Sequence, residues 1–279
     1  MKGIVYAGCS FTYGHGLEYY SPNNEYIDKP EIQITSVFDN VLYDTRKELR
    51  FSNIVSKHFN TFDVTRRYTS GSDDDSVLFL SHLFDRSHEH PHITDQRFDY
   101  ENIEYIVFQT SYPDRCFFNL KNGESFRLSE YQNLKGHISN EMFKILKENN
   151  IDNFEEYYNL LTTQLFNNLK NTLQYYESKN IKCLFWNLTN DFIQHIDNDI
   201  WMKERHIKLY YNEKCYLCWK DMFQDKNYHL EIINDKEFFG EITPKDQHPS
   251  KMAHQIIAES IIKKIEENEK INQLGKEVL

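Results

Sequence analysis

Gly3-Ile4-Val5-Tyr6-Ala7-Gly8 is an apolar run closed by a glycine, and its reading decides the fold. A strand with one wet face alternates polar and apolar residues. A run without alternation reads as a strand buried on both faces, as in a parallel sheet covered by helices. Ile103-Glu104-Tyr105-Ile106-Val107-Phe108-Gln109 and Ile181-Lys182-Cys183-Leu184-Phe185-Trp186-Asn187 have the same character. Phe62 to Arg66 and His229 to Ile233 are weaker versions.

Helical periodicity fills the intervals. Tyr158, Leu161, Leu165, Leu169, Leu173 and Tyr176 recur every three or four residues, predicting a helix over 154–178. Ala253, Ile256, Ile257, Ile261 and Ile265 predict another, with Ser250 as its N-cap. Val77, Leu80 and Phe84 predict a third behind Asp73-Asp74-Asp75, whose charges suit a helix N-terminus. A shorter helix is expected over Glu48–Phe59. Strands alternating with helices define an α/β chain: a three-layer α/β/α, flavodoxin-like, doubly wound parallel sheet of about five strands. Residues 1–279 read as one domain, with polar insertions near 18–45 and 115–150 over the strand C-terminal edge. The charged tail from Glu266 is expected to fray.

Composition narrows the partners. Asp and Glu outnumber Lys and Arg 43 to 32, a net charge of -11, and no basic run is long enough to track a phosphate backbone. Nucleic acid and anionic membrane surfaces are therefore poor partners. No segment approaches the roughly 20 apolar residues of a membrane span, and the N-terminal run is too short for a secretory signal. A cytoplasmic location is expected. The five cysteines are scattered, which is no disulfide framework. Cys215-Tyr216-Leu217-Cys218 has half the spacing of a zinc site without a second pair, and reads as two thiols on an aromatic-rich helix. Ser87-His88-Glu89-His90-Pro91-His92 alternates its histidines to opposite sides of an extended segment, and reads as a solvated loop. No metal and no cofactor are expected.

Two segments carry chemistry. Gly8-Cys9-Ser10-Phe11-Thr12-Tyr13-Gly14 follows the first strand, so Ser10 can sit on a tight turn with its hydroxyl in the crevice beyond the strand ends. Its own N–H can help hold an oxyanion. Lys245-Asp246-Gln247-His248-Pro249-Ser250 precedes the last helix. There Asp246 can fix the tautomer of His248, a general base, and Pro249 restricts His248 to extended backbone. Arg115, in Tyr112-Pro113-Asp114-Arg115, either grips a carboxylate or phosphate bidentately or pairs with Asp114 or the acidic loop.

These segments resemble the blocks of the SGNH (GDSL-like) hydrolases. Gly8-Cys9-Ser10-Phe11 is similar to block one, usually Gly-Asp-Ser, and Asp246-Gln247-His248-Pro249 to the last block. The resemblance implies that Gly71, in Thr69-Ser70-Gly71-Ser72-Asp73-Asp74, supplies an oxyanion N–H. It aligns Ser111 with the side-chain donor of block three, with Gln109 as the nearby substitute. The closest pattern is a divergent phage and bacterial subset with Gly-Cys-Ser-Phe-Thr, so the cell would be a bacterium or a phage-infected host. The implied activity is hydrolysis of an acyl ester, an acetylated carbohydrate or other small polar ester, by Ser10, His248 and Asp246. The alternative is a degenerate SGNH-fold binding protein or a virus-associated accessory protein. Cys9 for Asp, and Ser111 for Asn, depart from the family pattern.

Overall fold

The computed structural model describes residues 2–9, 12, 17, 40–65, 72–85, 102–120, 123–128, 139–225 and 249–277. Strand β1 (Gly3–Ala7) is followed by helices α1 (Asn40–Leu49) and α2 (Phe51–Phe59), then β2 (Phe62–Thr65) and α3 (Asp73–Asp85). Next come β3 (Ile103–Gln109), the hairpin β4 (Phe117–Asn119) and β5 (Ser125–Arg127), α4 (Asn140–Glu148) and α5 (Phe154–Glu177). Strand β6 (Lys182–Trp186), α6 (Ile193–Asp197), α7 (Ile200–Arg205), the hairpin β7 (Leu209–Tyr211) and β8 (Lys214–Tyr216), α8 (Trp219–Phe223) and α9 (Lys251–Glu277) complete the order.

The main sheet is parallel throughout, in the order β2-β1-β3-β6. Both faces are covered, which is why these strands lack polar alternation. Val5, Ala7, Ile106 and Phe108 face one core with Leu80 of α3 and Leu165 of α5. Ile4, Tyr6, Val107 and Trp186 face the other with Val55 of α2 and Ile257 of α9. The result is the three-layer α/β/α arrangement read from the sequence. A fifth strand expected over 229–233 lies outside the described residues. Beyond β6 the edge is continued piecemeal: the Ile207 N–H donates to the Phe185 carbonyl at 2.7 Å, and the Trp219 N–H to Asn187 at 3.0 Å.

Element bounds follow local chemistry. Asn153 caps α5, its side chain accepting the Glu156 N–H, and the core position on the first turn is Tyr157 rather than Tyr158. Ser72 caps the start of α3: its Oγ accepts the Asp75 N–H at 3.1 Å and donates to Asp75 Oδ2 at 2.6 Å. Ser250 caps α9 through the Ala253 N–H, as expected. The helix expected over 48–59 is two helices broken at Arg50, whose backbone is extended. The segment 115–150 is more than a polar insertion, because it holds the β4–β5 hairpin and α4. Cys215 lies on β8 and Cys218 caps α8, so the aromatic-rich helix expected there is corrected to a hairpin and a cap. The tail from Glu266 does not fray at its start: α9 runs to Glu277, and Glu269 binds the Tyr105 hydroxyl and the Lys182 ammonium.

Arg50 turns inward at the α1–α2 break. Its Nε and Nη2 donate to Asp63 Oδ2 of β2 at 3.0 and 2.8 Å, and the Ser52 and Thr65 hydroxyls also donate to that carboxylate. Both charged side chains are almost fully buried. Removing one member of such a pair strands the other's charge. Arg50→Met should therefore lower the unfolding free energy by about 3–5 kcal/mol, and Arg50→Met with Asp63→Asn by less. Urea unfolding of the two variants checks this, and an equal loss in both would show the charge to be unimportant.

Candidate functional site

The crevice follows from the sheet order. From β1 the chain moves to β2 on one side and then to β3 on the other, so the C-terminal ends of β1 and β3 form a topological switch point, where ligands bind in open α/β sheets. Ala7 pairs with Phe108, which brings the next residues, Gly8 and Gln109, side by side there. A Cβ on Gly8 would lie 2.2 Å from Thr12 Oγ1 and 2.7 Å from Gln109 Cβ, so only glycine permits the approach. The buried Gln109 amide then bridges Cys9 and Thr12, which stand on either side of Ser10 in the chain. Its Nε2 donates to Cys9 Sγ at 2.9 Å, and its Oε1 accepts the Thr12 hydroxyl at 2.5 Å.

The end of β3 is fixed from two more sides. The Thr110 N–H donates to the Trp186 carbonyl at 3.0 Å, and its hydroxyl donates to Asn187 Oδ1 at 3.1 Å. The Ser111 N–H donates to Asp73 Oδ1 of α3 at 2.6 Å, which ties the first turn of α3 to the crevice floor. Asp74 takes the Phe117 N–H at 2.7 Å in the same way. Burial raises the Asp73 carboxyl to about 7; the Ser111 hydrogen bond opposes this and Asp74 adds to it. Ser111 itself is buried. Arg115 is exposed, with its guanidinium 5.1 Å from the centre of the Tyr112 ring. Among the described residues no carboxylate lies within ion-pairing distance of it. Burial raises the neighbouring Asp114 carboxyl, and Arg115 opposes the shift.

The last helix reaches the same edge. The Phe51 N–H donates to His254 Nδ1 of α9 at 3.2 Å, and Phe51 stacks on His254 while meeting Tyr6 and Trp186 edge-on. Farther along α9, Glu269 binds Tyr105 and Lys182 near the opposite strand ends. The helix therefore runs against the strands and starts, at Pro249 and Ser250, by their C-terminal ends.

Of the residues singled out from the sequence, Gln109, Ser111 and Arg115 are seen at this edge. Ser10, Gly71, Asp246 and His248 lie outside the described residues, as do His88, His90 and His92. Cys9, Ser72 and Pro249, their chain neighbours, are described and buried. Sequence reasoning missed Thr12 as the partner of Gln109, and Asp73 as the acceptor for Ser111. Only the β1–β3 register could have disclosed the first, whereas the acidic run 73–75 flagged the second merely as a helix start. Among the described residues no group of three His, Cys, Asp or Glu is placed to hold a metal ion. No helix among them is long and apolar enough to cross a membrane. No family model, curated protein or solved structure matches the chain.

A carboxyl raised by folding destabilises the fold once the unfolded chain has ionised. Asp73 is expected to leave stability unchanged below its unfolded value of 3.8, to erode it as pH rises towards about 7, and to add no further loss above that. Asp73→Asn should cancel the erosion, gaining up to about 4 kcal/mol over wild type between pH 4 and pH 8. Urea midpoints at both pH values measure it, and a difference independent of pH would mean that Asp73 is not the titrating group.

Proposed function

We propose that the chain is an SGNH-type serine hydrolase acting on a small polar acyl ester, with an acetylated carbohydrate as the favoured class. In this reading Ser10 Oγ attacks the acyl carbon while His248 takes its proton, and Asp246 holds the imidazole in the required tautomer. The N–H groups of Ser10 and Gly71 receive the oxyanion. Collapse of the tetrahedral intermediate releases the alcohol with the proton from His248, and water then attacks the acyl-serine by the same route.

The observation that carries the reading is the Gln109 brace. At the switch point, one buried amide joins Cys9 to Thr12, the described residues that flank Ser10 in the chain. A nucleophile needs such a rigid base, since misplacement by about 1 Å can cost ~10² in rate. Cys9, Ser72 and Pro249 at one end of the sheet add support, because they adjoin Ser10, Gly71 and His248 in the chain.

A second reading, a binding protein on a degenerate hydrolase fold, is favoured by one specific feature. Both amide hydrogens of Gln109 have protein acceptors, Cys9 Sγ and the Thr110 carbonyl, and the Ser111 N–H is taken by Asp73. These groups brace the crevice rather than opening donors into it. Losing one oxyanion donor costs roughly 10²–10³ in rate, so the expected hydrolysis is slow.

A fluorophosphonate probe separates the readings. Wild type should be labelled on Ser10, and Ser10→Ala should be unlabelled and lose turnover of short p-nitrophenyl esters by roughly 10³-fold or more. A folded wild type inert to both reagents would overturn the hydrolase in favour of the binding protein. Gln109→Leu keeps most of the side-chain volume but removes the brace, and should slow labelling by up to ~10²-fold while the protein stays folded by circular dichroism. An unchanged labelling rate would remove Gln109 from the positioning role.

A further inference from the structure

On the flank beyond β6, Lys203, Lys208, Lys263 and Lys264 line one pocket of about 230 Å³, with Glu267 as its single carboxylate. In a chain of net charge -11 this is a local inversion of sign. Lys203 lies 3.3 Å from Asp197. Among the described residues no carboxylate stands within ion-pairing distance of Lys208, Lys263 or Lys264. Lys208 and Lys264 are half-buried, and the Lys263 ammonium rests 3.9 Å from the centre of the Tyr210 ring. Burial lowers the Lys264 ammonium, Lys208 and Arg205 push the same way, and Glu267 and Glu204 oppose them.

The remaining walls offer no competing charge. His206 Nε2 accepts from the Asn187 amide at 3.2 Å, and its ring stacks on Phe185. Burial lowers its imidazolium to about 4, so it is a neutral wall at neutral pH. The Ser260 hydroxyl donates to the Ile256 carbonyl and accepts the Tyr210 N–H, so it too is engaged within the protein. What faces the pocket with unused donors is a set of like charges converging from α9 and from the α7–β7 link. Repulsion among them is relieved by an anion, and lysine serves phosphate as a point charge without demanding a planar fork. A carboxylate offers two oxygens in one plane, whereas a tetrahedral oxyanion presents acceptors to ammonium groups approaching from different directions.

We infer that this pocket binds a phosphate or sulfate group, as the free ion or as the terminal group of a small ligand. Lys264 lies about 20 Å along α9 from Ser250, so the site is separate from the crevice and does not rest on the hydrolase reading. Phosphorus-31 line broadening at constant ionic strength, with inorganic phosphate and separately with adenosine monophosphate, tests it without any ester. Wild type should show saturable broadening, and Lys208→Gln or Lys264→Gln should each weaken it roughly tenfold or more. Lys144→Gln, which removes the same charge from an exposed position on α4, should leave it unchanged. Tighter binding of the nucleotide would identify the oxyanion as part of a larger ligand, and equal binding would identify the free ion. Absence of saturable broadening in wild type, or an equal loss in Lys144→Gln, would overturn the proposal. Lys263→Gln, at an exposed position, decides the matter if either half-buried variant fails to fold.

Discussion

The parallel pairing of β1 with β3 sets Gly8 against Gln109 at the point where the sheet reverses its winding. Almost every contact at the crevice is conditional on that register. A slip of one residue would turn Gln109 to the opposite face and separate its amide from Cys9 and Thr12. It would also withdraw the Ser111 N–H from Asp73, and with it the tie to the first turn of α3. The glycine matters for the same reason, since a side chain at position 8 would occupy the space that Thr12 and Gln109 share.

Buried polarity is concentrated where elements must be held at a defined depth. Asp63, on an outer strand of the described sheet, is satisfied by Arg50, Ser52 and Thr65, which fixes the break between α1 and α2 over β2. Asp73 and Asp74 receive backbone N–H groups at the opposite face. Such groups are costly to bury and costlier to leave unpaired. They act as directional pins in a core otherwise held by non-directional apolar contact. Glu269, shared by Tyr105 and Lys182, pins the far end of α9 in the same manner.

Polarity on the outer flank has a different origin. The lysines around Tyr210 converge because α9 crosses the link after α7, and nothing in their local sequence marks them as a group. Lys203, Lys208 and the pair Lys263-Lys264 are far apart in the chain, and each reads alone as an ordinary solvated charge. Their sign stands out only against the acidic remainder of the molecule.

The sequence by itself determined the layer architecture. Apolar runs at 3–8, 103–109 and 181–187 are long, unalternating and separated by clear helical periodicity, and burial on both faces leaves no other pattern. It also marked the capping residue Ser250 and the acidic start of α3, since capping is a contact between near neighbours in the chain, whereas the Ser72 cap was seen only in the structure. Segments 115–150 and 215–218 were less legible, because short hairpins and one-turn helices take their form from the surface they lie on. Nor could the sequence say what Gln109 does. A glutamine at a strand end is equally compatible with an oxyanion donor and with a structural brace. Tertiary structure decided for the brace by placing Cys9 and Thr12, residues about a hundred positions away, within reach of its two polar atoms. Hydrogen bonds are short-ranged and directional, so their partners are fixed by strand register, which local sequence does not encode.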